Sequence, residues 1–400
     1  MARFLFTMWD GGGSLPPELT VVRQLVAAGH AVTMVGDPVT EPEVQATGVT
    51  DFRPWVDAPH HDTRRAEDDY IRDWELRNPT RVLANLMDTL MVIPAPLFAA
   101  ETLAAIDDVQ PDAVVSSFPL LGALMAAEVR RVPCAALVPN VVSLPADGMP
   151  PFGTGFLPPK GRLGRARDRT LNALVDRLWN KGLPELNRVR ATLGLHPLDR
   201  LLAQYEQPER ILALTGASFD FPAALPPNVR YVGPQLDDPE WAEPWSPPDD
   251  DLPFVLVAMS TTFMDHVDQL QRAVTALGTL PVQSLVTTGP AIDPDQIDAP
   301  GGDHRRALGA SPPGARARRR AAHPRRPRHR HEGSRRRRAH RVHAHRPRPA
   351  GQRGAAHLSR RRRQDLEEGA TGQDRRRRRT VAGRPILQDR SHAPGRAAAH

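Results

Sequence analysis

The chain has 400 residues, long enough for two or three domains that each bury a core. Its formal net charge of +7 averages two unlike pieces: residues 301–400 carry 30 Arg, no Lys and 7 acidic residues, whereas residues 1–300 carry 23 basic and 39 acidic ones. The one cysteine, Cys134, excludes an intrachain disulfide and suits a reducing cytoplasm.

From the N-terminus, Arg3–Met8 (RFLFTM) is an apolar run suited to a buried strand. It stops at Asp10 without a signal-type cleavage site, so no export segment is read there. Asp10 to Pro17 (DGGGSLPP) is a turn, Glu18–Ala28 has apolar residues at helical spacing, Gly29 ends that helix, and His30–Val35 is a second strand. Strand, glycine loop, helix, strand is the opening of a parallel α/β sheet. The longest apolar stretch, Met91–Ile106, is broken by Pro94, Pro96 and Glu101, which predicts no membrane span and a cytoplasmic protein.

The pattern recurs with a strand at Asp112–Ser117, a helix at Leu120–Arg130 and a strand at Cys134–Val138. Arg165–Leu193 alternates charged and apolar groups as a long amphipathic helix does, with an interruption at Gly182–Pro184, and Glu209–Thr215 returns to strand character. The Pro-rich, acidic stretch up to Asp251 predicts a linker over 216–251, with Trp241 and Trp245 packing the hinge. A second α/β pattern then starts: strand Phe254–Met259, polar turn Ser260-Thr261-Thr262, helix His266–Leu277, strand Val282–Thr287. It loses its periodicity near Pro300. The expected organisation is an N-terminal domain over 1–215, a linker over 216–251, the start of a C-terminal domain over 252–300, and an Arg-rich tail over 301–400.

These stretches, in this order, resemble the UDP-glycosyltransferases of the macrolide and flavonoid type. The residues that carry the likeness are the opening strand with its glycine loop and AAGHAVT, PDAVVSSF followed by GALMAAEVRRVPCAALVPN, LPPNVRYVGP before the linker, and LVAMSTTF with VTTGP after it. The resemblance covers about residues 1–300. It implies an α/β protein of two Rossmann-like doubly wound domains (the GT-B arrangement), here with the second domain truncated and the tail disordered. It also implies sugar transfer from a UDP- or dTDP-type nucleotide sugar to a hydroxyl of a hydrophobic small molecule, with inversion, no cofactor and no metal. The acceptor would bind the N-terminal half, including the Asp62–Asn85 region and the Pro139–Phe156 loop; no specific nucleic-acid partner is expected.

Carried over residue by residue, the likeness is incomplete. The family's usual base is a histidine in the first glycine loop; here Gly13-Ser14-Leu15-Pro16-Pro17 puts Ser14 at that place. A neutral hydroxyl is a poor base near pH 7. Asp10, or His60 and His61 in a later loop, are the candidate substitutes, each with a plain alternative as a surface or turn residue. Gly12 and Gly13 are candidate donor contacts that also suit a tight turn. Ser260 and Thr261 follow the first strand of the second half, where the resemblance places hydroxyls and N–H groups against a diphosphate. The competing reading there is a helix cap. Thr288 and Gly289 end the next strand at the sheet edge where open α/β sheets bind ligands.

The tail is the anomaly. The family's donor motif, roughly H-G-G-H-G-T-x-x-x-A-L-x-x-G-V-P with G-x-D-Q-x-x-N-A further on, belongs in residues 301–400 and is absent. In its place stand stretches such as PRRPRHRHEGSRRRRA from Pro324. Reading each codon one nucleotide later, Arg written CGN and followed by a C of Arg or Pro gives GNC, which is Gly, Ala, Val or Asp. His331 with Glu332 permits only Met or Thr. Across Pro324–Ala339 the permitted sets contain H-G-G-H-G-T-V-M-K-A-L-A-A-G-V, and across His345–Ala355 they contain I-G-R-D-Q-P-D-N-A-A. Both donor elements are therefore recoverable in one shifted frame, and one extra nucleotide near Gly301 accounts for the whole tail. On this reading the chain as written is inactive. The alternative is a genuine Arg-rich tail that binds nucleic acid or another polyanion.

Overall fold

The computed structural model of the protein describes residues 1–236, 251–289 and 291–298. The Arg-rich tail and the two linker tryptophans, Trp241 and Trp245, lie outside the described residues, and so do the expectations attached to them.

The N-terminal part begins with β1 (Arg3–Thr7), α1 (Leu15–Ala27), β2 (Ala31–Gly36), α2 (Glu41–Gln45) and β3 (Asp51–Pro54). Helix α1 starts earlier than the apolar spacing predicts because Pro16 and Pro17 lie in its first turn, where a missing N–H leaves no intrahelical bond unmade. There follow α3 (Pro79–Leu86), a single π turn at Met87–Met91, α4 (Ala95–Val109), β4 (Ala113–Ser117), α5 (Leu121–Arg130) and β5 (Cys134–Val138). The predicted long helix is two, α6 (Gly161–Trp179) and α7 (Leu183–Thr192), parted near Gly182 as its sequence indicates. Strands β6 (Arg210–Ala213) and β7 (Val229–Tyr231) complete the sheet.

The seven strands run in the order β3-β2-β1-β4-β5-β6-β7, and every pair is parallel. Strand β1 is central, and Leu5 and Phe6 are fully buried between two apolar clusters. That explains its unbroken apolar run, since a strand covered on both faces has no polar side to show. Cys134 opens β5, buried, with its thiol pushed up to about 12 by burial and then by the charge of Glu209.

Strand β7 corrects the linker expectation: the N-terminal sheet runs on through Tyr231, inside the stretch 216–251. Three residues flanked by prolines carry no readable alternation. Their register is fixed instead by Asn228, whose carbonyl accepts from Ile211 N–H (2.9 Å) and whose amide donates to the Tyr205 and Pro208 carbonyls (2.9 and 3.1 Å).

By length and composition one described helical run, Pro79–Val109, with a mean hydropathy of 1.7, is apolar enough to cross a membrane. It is interrupted at Met87–Met91, and its second part buries Ala95, Phe98, Ala99 and Ile106 in the core. Gly122 of α5 makes that packing possible: a Cβ there would lie 2.1 Å from the Ala95 carbonyl oxygen.

The second half holds β8 (Phe254–Ala258), α8 (Val267–Leu277) and β9 (Gln283–Thr287), with β8 and β9 paired in parallel. Its apolar cluster is small, built on Leu270, Ile292 and Ile297. Leu256 of β8 is 57% exposed, against 0% for Leu5 of β1. Among the described residues this second sheet has two strands, and its first strand lacks the cover that a central parallel strand requires.

Candidate functional site

The strand order reverses direction at β1, where β2 lies on one side and β4 on the other. In open α/β sheets the crevice beyond the C-terminal ends of the strands at such a point is where ligands bind. The chain leaves β1 there as Trp9-Asp10-Gly11-Gly12. A cavity of about 190 Å³ opens over this loop, and Thr261 and Thr262 from the turn after β8 line it as well.

Glycine is needed at Gly12 for two reasons. Its φ is +64°, and a Cβ would fall 2.5 Å from Thr262 Cγ2 and 2.8 Å from Thr261 Oγ1. The two loops that the sequence singled out in separate halves thus meet at side-chain contact distance. The second turn is held by Ser260, whose Oγ accepts from Thr262 N–H at 3.2 Å and lies 3.0 Å from Thr262 Oγ1. Gly289 follows at φ +69°, and a Cβ there would sit 3.0 Å from the Ser260 carbonyl oxygen. Of the predicted site residues, Asp10, Gly12 and Thr261 line the cavity; Ser14, Gly13, Ser260, Thr288 and Gly289 lie in the loops behind it.

The far wall is the loop between β3 and α3, which enters the predicted acceptor region at Asp62. It is anchored at its start by Glu101 of α4, whose carboxylate accepts from the N–H groups of Val56, Asp57 and Ala58 at 2.7–2.9 Å. Further along, Arg64 reaches back to the glycine loop: its Nε donates to Asp10 Oδ2 at 2.7 Å and its Nη1 to Glu43 Oε1 at 2.7 Å. Asp10 is buried, accepts Gly12 N–H on Oδ1 (3.0 Å) and donates its own N–H to Asp37 Oδ2 (3.1 Å).

His61 is buried between carboxylates. Nδ1 lies 3.0 Å from Asp37 Oδ2 and Nε2 lies 3.6 Å from Asp69 Oδ1. Burial opposes its charge, but the hydrogen bonds and charges of Asp37 and Asp69 outweigh burial and raise it to about 9. Asp37 is itself held above its ordinary range by burial, with His61 opposing. His61 is therefore a cation at neutral pH rather than a proton acceptor. His60 is turned aside, with its Nδ1 on the Ala58 carbonyl at 2.7 Å. The sequence indicated His61 but not its partners, Asp37 from the loop after β2 and Asp69 from later in the same loop as His61.

Sequence reasoning also missed Glu18. It is buried at the first turn of α1, accepts from Ser117 Oγ at 2.6 Å, and is raised to about 8 by burial, with Ser117 opposing. It missed Phe263 and Trp74 too, which meet edge to face at 5.0 Å between the turn after β8 and the acceptor loop.

No family model matches the chain. A relative from Lentzea aerocolonigenes, 4'-demethylrebeccamycin synthase, is 27% identical over 306 residues, covering 74% of this chain and 72% of its own. Two solved structures share the fold. The glycotransferase of kitacinnamycin does so with a TM-score of 0.53 and 17% identity over 76% of this chain and 69% of its own. The calicheamicin glycosyltransferase CalG4 does so with a TM-score of 0.50 and 19% identity over 75% and 70%. With a doubly wound first sheet and the loops after β1 and β8 meeting in one cavity, the chain shares the fold of these glycosyltransferase structures and is similar in sequence to 4'-demethylrebeccamycin synthase.

Proposed function

We propose that this protein's fold transfers a sugar from a nucleotide sugar to a hydroxyl of a hydrophobic natural product, inverting the anomeric carbon. The observation that carries this reading is the shared cavity, in which the glycine loop after β1 and the threonine turn after β8 form one surface. A diphosphate leaving group needs donors where its charge develops, and backbone N–H groups and hydroxyls at strand ends supply them. Gly12, Gly13, Ser260, Thr261, Thr288 and Gly289 are the residues assigned to that side. The acceptor takes the other wall, where Ile71 and Leu86 offer apolar surface. The names of the relatives support an acceptor of natural-product type.

The chain as written has little or no transfer activity on this reading, because both donor elements fall in the shifted frame. The uncovered face of β8 and the small core of the second half support that view. The unmatched quarter of the chain in each comparison is as large as the tail. The test is transfer from a panel of UDP- and dTDP-sugars to hydrophobic alcohols and phenols. The chain as written is compared with one from which a single nucleotide near codon 301 is deleted. Turnover confined to the second supports the reading. Equal turnover in both sinks the shifted frame, and absence of turnover in both sinks the transfer reading.

A further inference from the structure

Attack by a hydroxyl requires a group to take its proton, and at the position where a histidine would stand this chain has Ser14. Two of the ionisable groups lining the cavity are already committed. Asp10 holds Arg64 and the Gly12 N–H, and His61 is engaged on both nitrogens by Asp37 and Asp69. Asp69 in turn accepts from the Ile71 and Arg72 N–H groups at 2.8 and 3.3 Å.

Asp73 is differently placed. It lines the same cavity as Asp10, Gly12 and Thr261, is half-buried, and among the described residues no cationic side chain pairs with it. It opens a short 3-10 turn directly after Arg72, a non-glycine residue in the left-handed region (φ 47°, ψ 40°). Such a conformation is strained and persists only where the surroundings hold it. Here Arg72 Nε donates to Glu75 at 2.9 Å, its guanidinium lies 5.9 Å from the Trp74 ring centre, and Trp74 packs on Phe263. The strained turn fixes Asp73 at the cavity wall.

We propose that Asp73 is the general base of the transfer. Its carboxylate takes the proton of the acceptor hydroxyl as that oxygen bonds to the anomeric carbon. The bond from that carbon to the nucleotide diphosphate breaks, and the diphosphate leaves with the electron pair. The inference rests on the sugar-transfer reading above. Burial, and then the neighbouring charge of Asp69, hold the Asp73 carboxyl above its ordinary range, with backbone N–H groups opposing; this moves it towards the value a base needs at neutral pH.

Two measurements test the assignment. In the full chain as it stands, the carboxyl carbon of Asp73, assigned by its loss in Asp73→Asn, should titrate above the ordinary carboxylate range. Titration at or below that range overturns the proposal. In the full-length chain with its frame restored, Asp73→Asn should lower kcat roughly 100- to 10,000-fold with KM little changed. The loss should be much smaller for phenols, whose hydroxyl is already acidic, than for alcohols, a dependence that a merely structural residue does not produce. Unchanged kcat, or equal losses for both acceptor types, overturns Asp73 alone. Absence of transfer by the frame-restored parent overturns the sugar-transfer reading, and the inference with it.

Discussion

Gly12 has no room for a side chain. A methyl group there meets Thr262 and Thr261 in a backbone conformation that disfavours any L side chain. Gly12→Ala should lower stability by about 1–3 kcal/mol and separate the two loops, read as a lower melting temperature together with weaker nucleotide binding. Glu18 gives a pH signature. Its folded pKa is raised from 4.5 to about 8, so its contribution is fully favourable below about 4.5 and declines until the pH passes 8. At pH 7 that loss is on the order of 3 kcal/mol. Glu18→Gln, which keeps an acceptor for Ser117, should melt higher than the parent at pH 8 and alike at pH 4. His61 acts in a higher window. It is raised from 6.5 to about 9, so its stabilisation is complete below about 6.5 and lost as the pH rises through 9; His61→Asn should flatten the melting profile between those limits. At this scale Asp10, Gly12 and Thr261 were legible, because loops after strands are short and their position follows from the strand. The pairing of His61 with Asp37 was not, because Asp37 comes from a segment whose approach no local pattern records.

Elements were legible where periodicity is strong. Strand β5 matches its expected bounds, and the break between α6 and α7 lies where Gly182 and Pro184 put it. Strand β3 and helix α4 escaped, the first because four residues show no period, the second because Pro94, Pro96 and Glu101 disguised a buried helix. Gly122→Ala sets a Cβ of α5 against the Ala95 carbonyl oxygen, the Ala99 nitrogen and Phe98 Cβ of α4, atoms with little room to give. It should lower the urea midpoint by an amount equivalent to about 1–3 kcal/mol. Strand β7 sets the end of the first domain. A chain ended after Gln235 should unfold cooperatively and at higher urea than one ended at Gly216, which leaves β6 without its outer partner. Equal midpoints would show that β7 contributes nothing.

On the scale of the whole molecule, the two halves differ in how much they bury. The first has a seven-stranded sheet between two apolar clusters, and the second has two described strands over a cluster of three buried apolar residues. A two-stranded sheet is marginal by itself, so amides of β8 and β9 should exchange with deuterium far faster than those of β1, β4 and β5. Protection of β8 equal to that of β1 would count against an incomplete second domain. The second strand–helix–strand unit was legible from the repeated α/β pattern, which fails in the sequence near Pro300.

Cys134 gives the protein an internal clock. Its lone thiol is buried at the start of a central strand and held far from ionisation, and the thiolate is the reactive form. A thiol reagent should therefore wait for the first sheet to open. The labelling rate then times that opening, with no second cysteine to confuse the signal and no dependence on whether the donor half is present.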